Sequence, residues 1–472
     1  MPAGPKYRPE TPFTDLGDGF ADPVNAASFP ETKIRFRNDR AAAELGLDTL
    51  TDAEWAAHFG RFEPLAGNLP KPLAQRYHGH QFRVYNPDIG DGRGFLFAQM
   101  RDSHDRLMDL GTKGSGTTPY SRSGDGRLTL KGGVREIMAT EMLEALGART
   151  SRTFSLIETG EKLHRGDEPS PTRSAVMVRL NHGHIRIGTF QRHAYFSDTE
   201  RLEKLVDYCL KVYFDTEPKG SVSDKACRFV DLVSAGVAAQ AADLMAAGFV
   251  HGVLNTDNIN ITGEIFDFGP WRFLPETNMA FTAAYFDETG LYSFGRQPEA
   301  LHWNLYQLGG ALIDIAGEDA LKEVLAPFAA RYVAALRTRL LRRLGVTPQD
   351  DTADDALIEK INAFLVETAA PYERFFFDWH GGGASVDRAR RSPMAQTYFH
   401  PKYSEMVNLL SARTAARPDS LSHPYFKGDD PCTMLIEEVE DIWSHIAERD
   451  DWTPLEDKIA RIREMGDALQ AD

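Results

Sequence analysis

One asparagine, two aspartates and a set of basic residues in this 472-residue chain are spaced for work on phosphates. The run His251-Gly252-Val253-Leu254-Asn255-Thr256-Asp257-Asn258 is followed by Phe266-Asp267-Phe268-Gly269. In the H-x-D-x-x-x-x-N and D-F-G pattern, the first Asp handles the acceptor's proton, while the Asn and the later Asp hold metal. His251 and Asn258 keep that separation, and Asp267 opens the D-F-G. The first Asp position is Val253, which neither takes a proton nor binds metal. Asp257 is the nearest replacement. Asn258 and Asp267 offer hard oxygen ligands, suited to Mg²⁺ or Mn²⁺ shared with nucleotide phosphates.

Further phosphate-handling groups lie upstream. Gly90-Asp91-Gly92-Arg93-Gly94 reads either as a glycine turn or as backbone N–H groups open to an anion, with Arg93 adding charge. Lys113 to Arg127, which includes Asp125 and Gly126, carries glycines, hydroxyls and basic residues. It suits a phosphate cradle, or else a mobile linker that Pro119 and Tyr120 disfavour. Lys113 ends a strand and Glu136 lies near the start of the following helix, the order in which protein kinases orient nucleotide phosphates. If Asn181 to His184 close a hairpin, Arg179 faces Arg186, and two facing arginines repel unless an anion sits between them. A different register would leave both in water. His78/His80 and His182/His184 lack third and fourth ligands at zinc spacing and read as structural histidines.

These groups need elements to hold them. Phe95 to Met100 and Arg106 to Lys113 read as two strands around a turn. In the second, Met108 and Leu110 share one face, and Asp109, Gly111 and Lys113 the other. Val134, Ile137, Met138, Met142 and Ala145 form one helical stripe, with Gly147 as the stop. Leu202, Leu205, Val206, Cys209 and Tyr213 form another. Residues 251–269 read as loop, strand, turn, strand, loop. With 53 basic against 69 acidic residues, net −16, the surface repels nucleic acid and anionic lipid in bulk. Cys209, Cys227 and Cys432 are far apart, which fits a reducing compartment. The first residues show no apolar signal segment, and the longest apolar stretch, around residues 235–254, is broken by polar groups. A cytoplasmic protein is expected, away from nucleic acid and membrane.

Taken together, Tyr77–Phe82 (YHGHQF), Gly90–Arg93, Lys113–Arg127, Arg135–Gly147, His251–Asn258, Phe266–Pro270 and the QPEALHWNL run from Gln297 resemble the selenoprotein O (YdiU-like) family of pseudokinase protein adenylyltransferases. The resemblance is dense over roughly residues 40–310 and thinner beyond. It implies an α+β, kinase-like two-lobed fold with ATP bound in a flipped orientation, its γ-phosphate buried and its α-phosphate open to attack. On that likeness residues 1–75 form an N-terminal arm, 76–198 a nucleotide-binding N-lobe, 199–330 a C-lobe with the catalytic loop, and 331–472 a helical extension. Carried over position by position, Gly90, Gly92, Arg93, Lys113, Asp125, Gly126, Arg179, Arg186 and Asp267 contact the nucleotide, and Glu136 orients Lys113. Asp257 accepts the proton, and Asn258 and Asp267 hold the metal. Departures are Arg83, where the family usually has Gly, the Lys131–Glu136 run, and a tail, MGDALQAD, without the redox Cys or selenocysteine of some members. Redox control through that tail is not expected.

The reading is an enzyme that moves AMP from ATP, with Mg²⁺ or Mn²⁺, to Ser, Thr or Tyr hydroxyls of proteins and releases pyrophosphate. A monomer is favoured. The alternatives are UMP transfer with Mn²⁺, a kinase that moves the γ-phosphate, and a scaffold that only binds ATP. Val253 argues against the kinase, and retention of Lys113, Asn258 and Asp267 argues against the scaffold.

Overall fold

The strand Leu107–Lys113 alternates as its sequence requires. Met108 and Leu110 join a core with Trp55, Phe59 and Phe154, while Asp109, Gly111 and Lys113 take the opposite face. The computed structural model describes residues 6–166 and 168–470. It is a mixed α+β structure in which this strand sits inside a nine-stranded antiparallel sheet. The main path runs Ala21–Pro23, Leu73–Gln75, Leu96–Arg101, Leu107–Lys113, Thr172–Asn181, Arg152–Leu163, Lys33–Arg37. Arg8–Pro9 pairs with Leu96–Arg101, and Leu128–Thr129 with Thr172–Asn181. The stretch read as an arm therefore supplies strands to both ends of the sheet. Its helices Asp39–Leu45 and Asp52–Gly60 put Ala41, Leu45, Trp55 and Phe59 into the core on one face.

Helix Leu130–Ala145 covers the other face. Thr129 caps it by accepting from Gly132 N at 3.1 Å, so it begins ahead of the Val134 stripe. Gly133 is what allows the approach: a Cβ there would lie 2.3 Å from Leu156 Cδ1. Val134, Ile137, Met138, Met142 and Ala145 are all buried, and Gly147 follows at φ +80°.

Beyond Asn181 the chain is mainly helical. Thr199–Tyr213 buries its stripe, and Val222–Ala246 runs from a Ser221–Asp224 capping box into the interior. By length and composition alone that helix could cross a membrane. Here Phe229, Val233 and Val237 are buried in one core with residues of Gln297–Ala316 and Phe328. Helices Asp351–Thr368 and Tyr372–Trp379 build a separate core with Leu341, Trp379 and Tyr398. Helices Ile436–Arg449 and Thr453–Gln470 return to Leu130–Ala145.

The two strands expected within residues 251–269 do not form. Thr256–Asn258 is a 3₁₀ turn, and only single bridges link Asn260 to Arg186 and Ile265 to Thr150. Ile187 N donates to Ile259 O and Ile261 N to Ile185 O, both at 3.1 Å. Past that bridge the Asn260 side chain takes over, its Nδ2 donating to Gly183 O at 2.7 Å and its Oδ1 accepting from Thr262 N. Gly263 lies against Gly236 of the long helix, where a Cβ would come within 2.4 Å of a carbonyl oxygen. That close approach leaves no space for a ladder.

Candidate active site

Lys113 ends its strand in a cleft of about 700 Å³. Its ammonium is buried, ion-paired with Glu136 and 4.0 Å from Asp267 Oδ1. Burial lowers the Lys113 pKa, and Glu136 opposes that.

Arg179 and Arg186 reach Asp267 from two sides. Arg179 Nη1 donates to Oδ1 and Arg186 Nη1 to Oδ2. Arg186 also donates to Asp257 O at 2.8 Å and to Asp91 Oδ1 at 3.3 Å. Its guanidinium lies 4.8 Å from the Phe266 ring centre and 4.4 Å from that of Tyr77. The two arginines do not face each other across a hairpin. Arg179 stands opposite Gly111 and Thr153, and Arg186 bridges Asn260. Thr172–Asn181 is already paired along both sides, so no edge is open to a returning strand. An anion does separate them, and it is the protein's own Asp267.

The catalytic-type loop is fixed from several directions. His251 N donates to Gln297 Oε1 at 3.0 Å, and His251 Nε2 lies 2.9 Å from Phe266 O, which ties the loop to D-F-G. His80 N donates to Thr256 Oγ1 at 2.6 Å, and Phe82 N to Asn255 Oδ1 at 3.0 Å. Asn258 Nδ2 donates to Val253 O at 2.9 Å. Val253 itself packs on Gly269, where a Cβ would lie 2.5 Å from it.

Asp257 and Asp267 are treated oppositely. Burial pushes the Asp257 carboxyl up to about 6, against Arg186 and a Gln81 Nε2 hydrogen bond of 3.2 Å to Oδ2. Its Oδ1 is buried without a partner among the described residues. Burial would raise Asp267 too, but Arg179, Arg186 and Lys113 hold it well below the carboxylate range.

The glycine runs form the opposite wall and are packed on each other. A Cβ on Gly90 would lie 2.5 Å from the Tyr120 ring, and one on Gly92 2.9 Å from the Tyr120 carbonyl oxygen. Thr118 and Ser121 hydroxyls donate to the Asp91 and Gly92 carbonyls. Gly126 takes φ +69° against the Gly116 backbone. Asp125 sits at the rim, accepting from Arg165 at 2.8 and 3.0 Å and from Arg127 N at 3.0 Å. The second run is thus a tied wall rather than a linker.

A family model described as protein adenylyltransferase SelO matches residues 6–463. A protein nucleotidyltransferase YdiU from Synechocystis is 42% identical over 474 residues, 96% of this chain and 97% of its own length. Its counterpart in Gloeobacter violaceus is 43% identical over 469 residues, 96% and 94% of the two chains. The one in Myxococcus xanthus is 33% identical over 414 residues, 87% and 83%. The chain belongs to the SelO family.

In this SelO-family cleft Gly90, Gly92, Arg93, Lys113, Asp125, Gly126, Arg179, Arg186, Asp257, Asn258 and Asp267 line one cavity, with Glu136 behind Lys113. Sequence reasoning missed Tyr77, Gln81 and Asp91 as members. Asp91 sits between the two glycines already singled out, and Tyr77 and Gln81 lie in the Y-H-G-H-Q-F run. Their partners Asp257 and Arg186 are too distant in the chain for spacing to reveal. The histidines have local partners: His78 Nδ1 lies 2.8 Å from Tyr85 Oη, His80 Nδ1 2.8 Å from Gln191 Nε2, and His182 Nδ1 2.8 Å from Leu107 O. His184 Nδ1 is 3.5 Å from Asp109. Arg83 takes φ +63°, a conformation that favours glycine, and its side chain pairs with Glu299 at 3.3 Å.

Proposed function

We propose that this chain transfers AMP from ATP to a Ser, Thr or Tyr hydroxyl of a protein, within a kinase-like arrangement of sheet and helices. The observation that carries the reading is Asp257, a buried carboxyl raised to about 6 with one oxygen unpartnered among the described residues, in a cleft with a valine at the usual base position. A base near neutrality is matched to taking a hydroxyl proton. Arg179 and Arg186 each also leave a buried Nε without a partner among the described residues, which suits groups that await phosphate.

In the flipped orientation Arg179, Arg186 and Lys113 hold the β- and γ-phosphates, and the α-phosphorus faces the acceptor. The hydroxyl oxygen bonds to that phosphorus as its proton passes to Asp257. The bond from phosphorus to the bridging oxygen breaks, and pyrophosphate leaves with that electron pair. Glu136 keeps Lys113 in place. Asn258 and Asp267 would hold a hard dication, Mg²⁺ or Mn²⁺, once the phosphates draw Arg179 and Arg186 off the Asp267 oxygens: one is a carboxamide and the other a carboxylate, with no thiolate or imidazole among the cleft residues. When bound, such an ion neutralises phosphate oxygens.

Two radiolabels test the reading. ATP labelled at the α-phosphate should label proteins while γ-labelled ATP should not, and Asp257→Ala should still bind ATP yet transfer no label. Labelling from the γ-position alone would restore the kinase.

A further inference from the structure

The helix that carries Glu136 is covered on more than one side. Val134, Ile137, Met138, Glu141, Met142 and Leu143 are all buried, although a single apolar stripe suffices to seat a helix on a sheet. The second cover comes from the far end of the chain. Ile462 and Met465 of helix Thr453–Gln470 are fully buried in the same core, and a Cβ on Gly466 would lie 3.3 Å from Ala145. Arg463 forks onto Glu141, Nε to Oε2 and Nη2 to Oε1, both at 2.8 Å. Glu141 is almost wholly buried, so this bidentate pair fixes geometry as well as charge.

The other C-terminal helix, Ile436–Arg449, holds the opposite end. Lys131 Nζ meets Glu440 Oε2 at 2.7 Å, and Arg135 Nη1 lies 3.9 Å from Glu440 Oε1. Arg135 also donates to Trp271 O at 3.2 Å and lies over the Trp271 ring, which links this end to the segment after D-F-G. Between the two helices, Asp450 accepts from Lys33 at 3.1 Å and from Arg35 and Arg173 at 2.7 Å, fastening the pair to the sheet.

We propose that the C-terminal helix pair is a built-in clamp that sets Glu136 against Lys113, with Arg463 as its main positioning residue. The proposal rests on the ATP-using reading above. A lysine–glutamate pair of this kind orients phosphates only while its helix is in place. Here that placement is supplied by two helices of the same chain, Ile436–Arg449 and Thr453–Gln470. Glu141 lies five residues beyond Glu136 on the same helix, so a shift at the Arg463 contact moves both.

The test compares the full-length protein with Arg463→Ala, Arg463→Lys and the exchanged pair Glu141→Arg/Arg463→Glu. Arg463→Ala should lower kcat about 10-fold and weaken ATP binding several-fold, since a small misplacement of positioning groups is costly. Its melting temperature should stay within a few degrees of wild type. Arg463→Lys should keep part of the activity, and the exchanged pair should recover most of it. A folded Arg463→Ala protein with kcat and ATP affinity within about twofold of wild type overturns the clamp. So does an exchanged pair as impaired as Arg463→Ala. If Arg463→Ala does not fold, Lys131→Ala decides at the other end: a fall in kcat with unchanged melting supports the clamp, and no fall overturns it. If the wild type transfers no α-phosphate label, the functional reading fails, and calorimetric ATP affinity of the same variants decides the clamp by itself.

Discussion

Asp257 and Asp267 line one cleft ten residues apart, the first buried and the second largely so, yet one is pushed toward the neutral form and the other is held ionised. Burial acts on both in the same direction. The difference lies in the neighbours: Arg179, Arg186 and Lys113 all reach the Asp267 carboxylate, whereas Asp257 has Arg186 alone nearby, a Gln81 amide on one oxygen, and no partner on the other among the described residues. Two carboxylates in one site can thus be assigned different work by the count of cations around them. The charge-rich end suits phosphate and metal, and the charge-poor end suits proton transfer.

Removing Asp267 breaks the comparison most sharply. Asp267→Ala should lose about 10²-fold or more in turnover, as expected when charge stabilisation around a transferring group is removed. Near-normal turnover in a folded variant would dismiss its role at the phosphates.

The pH profile separates the two carboxylates. If Asp257 must be ionised to accept a proton, kcat/KM should be flat above a pH of about 6 and fall up to tenfold per unit below it. Asp267 is depressed, stays ionised across that range, and adds no limb there. An acid limb near the ordinary carboxylate value would show that Asp257 is not the group being read.

Arg179→Ala and Arg186→Ala probe the cations that distinguish the two ends. ATP should raise the melting temperature of wild type more than that of either variant, because only differential binding to the folded state gives such a shift. Equal shifts in all three proteins would mean that the arginines serve Asp267 alone.

The smallest effect is expected from Gln81→Ala. Its hydrogen bond lowers the Asp257 pKa, so its loss should move the acid limb to higher pH by less than about one unit. A shift to lower pH would contradict the stated origin of the Asp257 value.

Much of this site is legible in the chain because it lies in short segments. Lys113 at a strand end, Glu136 on the following helix, though mid-helix rather than near its start, and the pair Asn258 and Asp267 follow from alternation, helical spacing and motif separation. The convergence of Arg179 and Arg186 on an anion was legible from their charge, but its geometry was not. A hairpin register presumes a free strand edge, and Thr172–Asn181 has none. Residues 251–269 misled for a related reason. Apolar residues there alternate as in strands, and Ile259, Ile261 and Ile265 do make backbone bonds, but the pairing stops at single bridges where Asn260 side-chain bonds and the Gly263–Gly236 approach take over. Within residues 6–75, Arg8–Pro9, Ala21–Pro23 and Leu73–Gln75 are too short to show a period, while Lys33–Arg37 does alternate, with Ile34 and Phe36 between basic residues, but its partner strand lies more than 100 residues away.

The sequence by itself determined the chemistry on offer: a lysine, two arginines, an asparagine and two aspartates, with valine where a kinase keeps its base. Those are properties of residue type and local spacing, and they survive any error in the fold. Only the tertiary structure decided which carboxylate is ionised, since a pKa depends on burial and on charges brought in from distant segments. Arg179 and Arg186 come from other elements than Asp267, and Gln81 reaches Asp257 across 176 residues. The same holds for Arg463 on Glu141, joined across 322 residues. No local pattern encodes such a contact, because it exists only when the sheet and both C-terminal helices have closed around the Glu136 helix.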